Sequence, residues 1–494
     1  MFKYTAPEKK GVSSKNIEKY IRKLEARRLS THDVIIMRGG EIIFEHYWEP
    51  FDEDFLHRMY SVSKSVLSLA VGFAIEEGYF SLDSKIRDLL PDEMRLAESD
   101  ENMRELTVRD MLLMSTAKSP EYWFDARCAD RVVNYFENKS EYSRPGSTIY
   151  EYDSPGSFVL GAIVERLVGM PFMEYLRPRL FDKIGVSKEA KCLKCPGGHS
   201  WSDSAVLMSA RDLLRIGKFV MDGGRWNGEQ LLNEQFIKDA TSKQIDNNVG
   251  GLESYCTQGY GYLIWRTWDN SFFFNGMGCQ LCVCVPDKDM ILVYNGDNQG
   301  NDIAKHIIID EFFDLIVRTA TDTELPEDKD AENSLSDYAK MLKLYALKNE
   351  AEREYEKKID GKIYTLNENP MGITCLGFKF TEGTCEMNYT NAQGDKTLYF
   401  RIGENEFGIF PEDGYSDQVG SQSEPNHYYR CAVSGAWIEE RKLFIRVQII
   451  DDYLGILNMT FGFKDENTLG IYMCKTAEDF LATYQGFATG KALN

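Results

Sequence analysis

Ser61 and Lys64 stand three residues apart in Tyr60-Ser61-Val62-Ser63-Lys64-Ser65-Val66, a hydroxyl followed by an amine at the head of an apolar run. On a helix this spacing stacks the two side chains on one face. A serine alkoxide can then form beside a basic group without any histidine. If the helix begins here, Ser61 occupies the first turn, where free N–H groups and the positive helix end favour developing negative charge. The run from Val66 to Ile75, closed by Glu76-Glu77-Gly78, predicts a buried helix behind the pair.

Ser115 and Lys118 repeat the spacing, but they follow a helical pattern over residues 108–114 and run into Pro120, which predicts a helix exit. Tyr150-Glu151-Tyr152-Asp153-Ser154 falls in an expected loop ahead of a helix over residues 158–168. A tyrosine in such a loop can shuttle a proton beside a cation, and it can equally serve packing. Asn275-Gly276-Met277-Gly278-Cys279-Gln280 lies between two expected strands. Small residues there let a substrate approach an edge strand and leave N–H groups for an oxyanion. A tight hairpin accounts for the same glycines.

Cys192-Leu193-Lys194-Cys195 with His199 lacks the second ligand pair that a zinc site needs. Cys282 and Cys284 share one face of a strand as small apolar residues. The six histidines show no ligand spacing. The expectation is chemistry with no metal or other cofactor and no histidine-based triad.

These residues need elements to hold them. Residues 13–28 predict an amphipathic helix with Ile17, Tyr20, Ile21 and Leu24 on one side. Strands follow over residues 33–37 and 41–47, joined through Arg38-Gly39-Gly40. The patterns are mainly helical to about residue 219, then return to strands over 260–268, 272–275, 280–285 and 290–294, with a final apolar helix over 303–317. That order implies an antiparallel sheet flanked by helices, with a helical subdomain inserted between its halves. Residues 324–333 are acidic and polar, residues 335–357 predict a charged helix, and alternating strands such as 396–402, 443–450 and 456–463 predict a C-terminal all-β domain. The expected division is 1–322, a connecting stretch over 323–355, and 356–494.

With 494 residues, 43% hydrophobic and 27% charged, the composition is that of a globular protein of about two domains. The net charge of -21 argues against nucleic acid and anionic membrane as partners. The N-terminus has no apolar core of a secretion signal, and no run is long enough to span a bilayer. Eleven scattered cysteines fit reduced thiols, so a cytoplasmic location is expected.

The order of these segments resembles the serine β-lactamase and penicillin-binding-protein-like superfamily, in particular its class C β-lactamase and esterase branch, over residues 12–320. Ser61-Val62-Ser63-Lys64 matches the first motif. Leu106-Thr107-Val108-Arg109-Asp110-Met111-Leu112, Pro145-Gly146, Gly161-Ala162-Ile163-Val164-Glu165, Ser209-Ala210-Arg211-Asp212-Leu213 and Gly259-Tyr260-Gly261-Tyr262 follow in the expected order. The second motif, Tyr-x-Asn, falls on Tyr152-Asp153-Ser154, with serine for asparagine. The third falls near Asn275-Gly276-Met277, where the sequence shows no neighbouring cation. Its Gly-rich, glutamine-ending form is similar to that of 6-aminohexanoate-dimer hydrolase-like members.

The resemblance implies that Ser61 attacks a carbonyl and that Lys64 and Tyr152 share the proton transfers, either of them being the base for acylation. The Ser61 and Met277 N–H groups would bind the oxyanion, and Ser154, Asn275 and Gly276 would line the substrate. The expected function is hydrolysis of a small ester or amide through an acyl-enzyme. The alternative is an inactive penicillin-binding-like protein that holds a ligand or partner, with a zinc-stabilised module a distant third.

Overall fold

Ile17, Tyr20, Ile21 and Leu24 are all buried along one side of helix α1 (Ser14–Ala26), as their spacing predicts. The structure, a computed structural model, describes residues 2–117, 130–138, 143–195, 197–414, 426–477 and 484–493. It divides into two compact units, one running to Lys343 and one starting at Leu344. Lys118 of the second serine–lysine pair lies outside the described residues.

The first unit is built on a seven-stranded sheet of β1 (Lys3–Tyr4), β2 (Thr31–Arg38), β3 (Glu41–Tyr47), β4 (Trp265–Arg266), β5 (Phe272–Gly276), β6 (Gln280–Val285) and β7 (Met290–Gly296), in the order β1-β3-β2-β7-β6-β5-β4. Every pairing is antiparallel except β1 with β3. Ile36 opposite Leu292 and Val34 opposite Tyr294 join the two halves of the chain at the sheet centre. All eight residues of β2 are buried, as a strand covered on both faces requires.

Between β3 and β4 the chain inserts its helical block, which includes α2 (Val62–Glu76), α3 (Ser154–Val168) and α4 (Ala210–Met221). Helix α4 can lie close on the sheet because Gly217 faces the cysteine pair of β6. A Cβ there would come 2.4 Å from Cys282 Sγ, which itself lies 3.9 Å from Cys284 Sγ. After β7, α5 (Ala304–Phe312) returns to α1, where the Tyr20 hydroxyl donates to the Ile308 carbonyl at 3.3 Å.

Two expected elements differ. Of residues 260–268 only Trp265 and Arg266 join the sheet, because Gly259 (φ 109°) and Leu263 (φ 58°) turn the chain away from extended geometry. The charged helix expected over 335–357 is instead α6 (Lys329–Ala339), which lays Ala331, Leu335 and Ala339 against α1. Beyond it, Leu342, Leu344 and Leu347 are buried from a non-helical stretch.

The second unit is a β-barrel. Nine strands run from Ile363–Leu366 to Tyr484–Ala492, and the sheet closes where Arg401 and Ile402 pair in parallel with Ser434 and Gly435. The short strand Glu406–Ile409 extends along the same edge of Arg430–Glu439. Alternate residues fill the interior, for example Leu457, Met459, Phe461 and Phe463 on one strand and Leu469, Ile471 and Met473 on the next. Among the described residues of the whole chain, no single helix is long and apolar enough to cross a membrane.

Candidate active site

Tyr60 takes a left-handed φ of 45°, so the chain turns sharply out of the two-residue strand His57–Arg58 and enters α2 at Ser61. The turn is anchored from the facing segment, where Met208 and Leu207 pair with His57 and Arg58 and the Val206 carbonyl accepts from the Met59 N–H at 2.8 Å. Ser63 and Ser65 fix the first turn of the helix. Ser63 Oγ accepts from the Val206 N–H at 3.0 Å, and Ser65 Oγ donates to the Leu263 carbonyl at 2.9 Å. Lys64 is 1% exposed, and its Nζ donates to Ser61 Oγ at 2.9 Å and to the Asp203 carbonyl at 2.7 Å.

Asp203 belongs to a buried ion pair that no local pattern announces. Arg131 Nη1 donates to Asp203 Oδ1 at 3.1 Å, and its guanidinium lies 4.2 Å from the centre of the Phe158 ring. Both residues are under 5% exposed, so the segment that presents its carbonyl to Lys64 is held by charge inside the core. Arg131 Nη1 also donates to Cys195 Sγ at 3.3 Å, while His199 Nδ1 lies 2.9 Å from Glu165 Oε2. The cysteine and histidine that resembled half a zinc site therefore serve separate contacts. Among the described residues, no group of three or more His, Cys, Asp or Glu could hold a metal ion.

Tyr152 reaches the same place from the other side. Its ring centre is 5.1 Å from Lys64 Nζ, and it stacks on Trp265 at 5.7 Å. What positions it is its neighbour Asp153, 1% exposed, which accepts from the Gly156 N–H at 2.7 Å, the Thr116 hydroxyl at 2.6 Å and the Tyr135 hydroxyl at 3.1 Å. Asp153 thereby caps α3, and with Pro155 in the first turn the helix starts at Ser154, ahead of the expected Phe158. Ser154 is buried in that first turn, and its Oγ has no partner among the described residues.

The third segment closes against the first. A Cβ on Gly276 would lie 2.4 Å from the Met59 carbonyl, so only glycine lets the end of β5 abut the turn that carries Ser61. Gly278 (φ 71°) and Cys279 (φ 77°) then carry the chain through a left-handed turn into β6. Gln280, fully buried, donates from Nε2 to the carbonyls of Met277 at 3.0 Å and Gly296 at 2.7 Å. With the Met277 carbonyl tied inward, neither its N–H nor that of Ser61 is committed to a turn or loop carbonyl among the described residues. Asn275 corrects the sequence expectation of a site without a cation, since its Oδ1 accepts from Lys305 Nζ at 2.6 Å. Lys305 comes from α5, thirty positions along the chain, where no motif reading would look for it.

Residues 17–308 match the family model described as Beta-lactamase. A 6-aminohexanoate-dimer hydrolase of Paenarthrobacter ureafaciens is 25% identical over 266 residues, covering 50% of this chain and 67% of that protein. The octameric penicillin-binding protein homologue from Pyrococcus abyssi aligns over 97% of this chain and 99% of its own, with a TM-score of 0.50 and 14% identity, so the shared fold includes the C-terminal barrel. EstCE1, a hydrolase with promiscuous acyltransferase activity, aligns over 61% of this chain and 99% of its own, with a TM-score of 0.50 and 13% identity. At such identities these two structures speak for the fold alone. The family model, in contrast, takes in more than half of the sequence, including both Ser61 and the strand end at Asn275, and the chain belongs to the beta-lactamase family.

Proposed function

We propose that this protein is a serine hydrolase that forms an acyl-enzyme on a small ester or amide. The observation that carries the reading is the 2.9 Å contact between Lys64 Nζ and Ser61 Oγ at the head of a buried helix. Ser61 Oγ bonds to the substrate carbonyl carbon while its proton passes to the Lys64–Tyr152 pair. The carbonyl electron pair moves onto oxygen, where the N–H groups of Ser61 and Met277 are available to it. The proton then goes to the leaving alcohol or amine as the old bond breaks. Water reverses the sequence and frees the acid.

The family membership and the hydrolase among the relatives support this reading. It is tested by intact-mass analysis after incubation with a serine-reactive fluorophosphonate and, separately, with a β-lactam. Labelling at Ser61 by the first is the expected result. No adduct on the folded protein would favour the inactive, ligand-binding alternative.

A further inference from the structure

Val447, Leu457, Lys475 and Tyr484 stand directly opposite one another on four successive strands of the barrel. Residues paired in this way share a face of the sheet, and Leu457 faces the interior, so the four form one row across the inner wall. Lys475 also continues the inward run of Leu469, Ile471 and Met473 along its own strand, Thr468–Thr476. One ammonium thus stands in a row that is otherwise apolar or aromatic.

The barrel is filled unevenly along its axis. Toward one end aromatic rings pack its interior, Phe378 with Phe461 at 5.1 Å and Trp437 with Phe463 at 6.2 Å between ring centres. Toward the other end the strand that carries Leu457 continues into Gly455, and a partly open cavity of about 300 Å³ begins. Phe410, Tyr429 and Tyr453 add their rings to the wall made by the row. Two carboxylates also line the cavity, and both already hold donors. Glu412 accepts from the Tyr389 hydroxyl at 2.5 Å and from Asn391 Nδ2 at 2.9 and 3.1 Å, and Asp413 Oδ1 accepts from the Asn426 N–H at 3.2 Å.

Burial lowers the Lys475 ammonium from its ordinary value, against the pull of Glu412. A carboxylate brought to Nζ would offset that burial. With three N–H bonds, the ammonium can serve an arriving carboxylate beside its contacts within the protein. An apolar cavity of about 150 Å³ takes a benzene ring, so twice that volume suits a molecule of roughly ten to twelve heavy atoms.

We infer that the barrel is a binding site for a small organic acid, with its carboxylate on Lys475 and its apolar body along Val447, Leu457 and the aromatic wall. This is independent of the serine-hydrolase reading above.

The test titrates octanoate and, separately, 1-octanol into the full chain by calorimetry. Octanoate should bind at one site per chain, about 10-fold or more tighter than octanol, the scale of one charge-assisted hydrogen bond. Lys475→Met should remove that preference and leave octanol binding in place, while Lys475→Arg should keep most of it. Val447→Trp, which fills the cavity, should weaken both ligands, with folding of each variant checked by thermal melting. Should Val447→Trp fail to fold, the loss of preference in Lys475→Met carries the test alone. No octanoate binding at millimolar concentration, equal affinity for acid and alcohol in the wild type, or a preference that Lys475→Met leaves unchanged would overturn the inference. Undiminished binding to a folded Val447→Trp chain would overturn it equally, by placing the ligand outside the barrel.

Discussion

Lys64 Nζ bridges Ser61 Oγ, at 2.9 Å, and the backbone carbonyl of Asp203, at 2.7 Å. The amine is thus held by main chain on one side and touches the hydroxyl on the other. Ser61→Ala should abolish p-nitrophenyl ester hydrolysis with little change in thermal melting. Lys64→Ala and Tyr152→Phe should each lower turnover by on the order of 100-fold. Because the two groups share one proton path, the double mutant should lose less than the product of the single losses, and a fully multiplicative loss would separate their roles.

Asp203 holds that carbonyl in place through its ion pair with Arg131. Removing one partner leaves the other as a buried, uncompensated charge, which costs about 3–5 kcal/mol. Arg131→Met should therefore be strongly destabilising in urea or thermal unfolding. Replacing both, Arg131→Met with Asp203→Leu, should recover part of the loss. A single mutant as stable as the wild type would show that the pair is dispensable to the core.

Gln280 ties the carbonyls of Met277 and Gly296 together. Gln280→Leu keeps much of the volume and removes both donors, at a cost of about 1–3 kcal/mol for the unsatisfied carbonyls. If the side chain also holds the Met277 N–H toward an oxyanion, acylation of Ser61 should slow by on the order of 100-fold. A destabilised variant with wild-type labelling kinetics would assign Gln280 to folding alone.

What was legible beforehand follows from how local each signal is. The limits of β3 and β6 and the buried run of α2 come from period and turn residues, and each stands where expected. Ser61, Lys64 and the turn after Asn275 are legible because their chemistry sits within a few residues. Arg131, Asp203 and Lys305 are not, because each acts through a partner distant in sequence and no periodicity marks it. The early start of α3 is a different lesson. Asp153 stands at the variable position of the second motif, where the motif says nothing of it, yet its capping bonds decide where the helix begins.

A buried cluster beneath the site gives the pH dependence of stability. Asp33 is fully buried, accepts from Asn295 Nδ2 at 2.9 Å and lies 3.5 Å from His57 Nδ1. Burial raises the Asp33 carboxyl from 3.8 to about 8 and lowers the His57 imidazole from 6.5 to about 3. The folded state therefore binds a proton at Asp33 that the unfolded state has lost, so this group takes away stability as pH rises from about 4 to 8. His57 acts with the opposite sign, adding stability as pH rises from about 3 to 6.5, and the two offset each other where the ranges overlap. Stability should fall between pH 6.5 and 8, where Asp33 acts alone. Asp33→Asn should flatten that fall in thermal melts across the range. A mutant that keeps the wild-type slope would place the titration elsewhere.

Helix α6 bears on where the first unit can be cut. It lays Leu335 on α1, Arg22 sits 3.8 Å over the Tyr338 ring, and Lys15 pairs with Asp328 at 2.8 Å. A chain ending at residue 322, the limit expected from the sequence, would lose all three contacts and uncover the part of α1 on which α6 packs. Burying one leucine side chain alone is worth about 1.5–3 kcal/mol. A chain ending at Lys343 should therefore melt higher than one ending at residue 322, with both compared by circular dichroism. Since Ser61, Lys64, Tyr152 and Met277 all precede residue 322, the longer fragment should also label with fluorophosphonate. A folded 1–343 fragment that stays unlabelled would show that the barrel unit completes the chemistry.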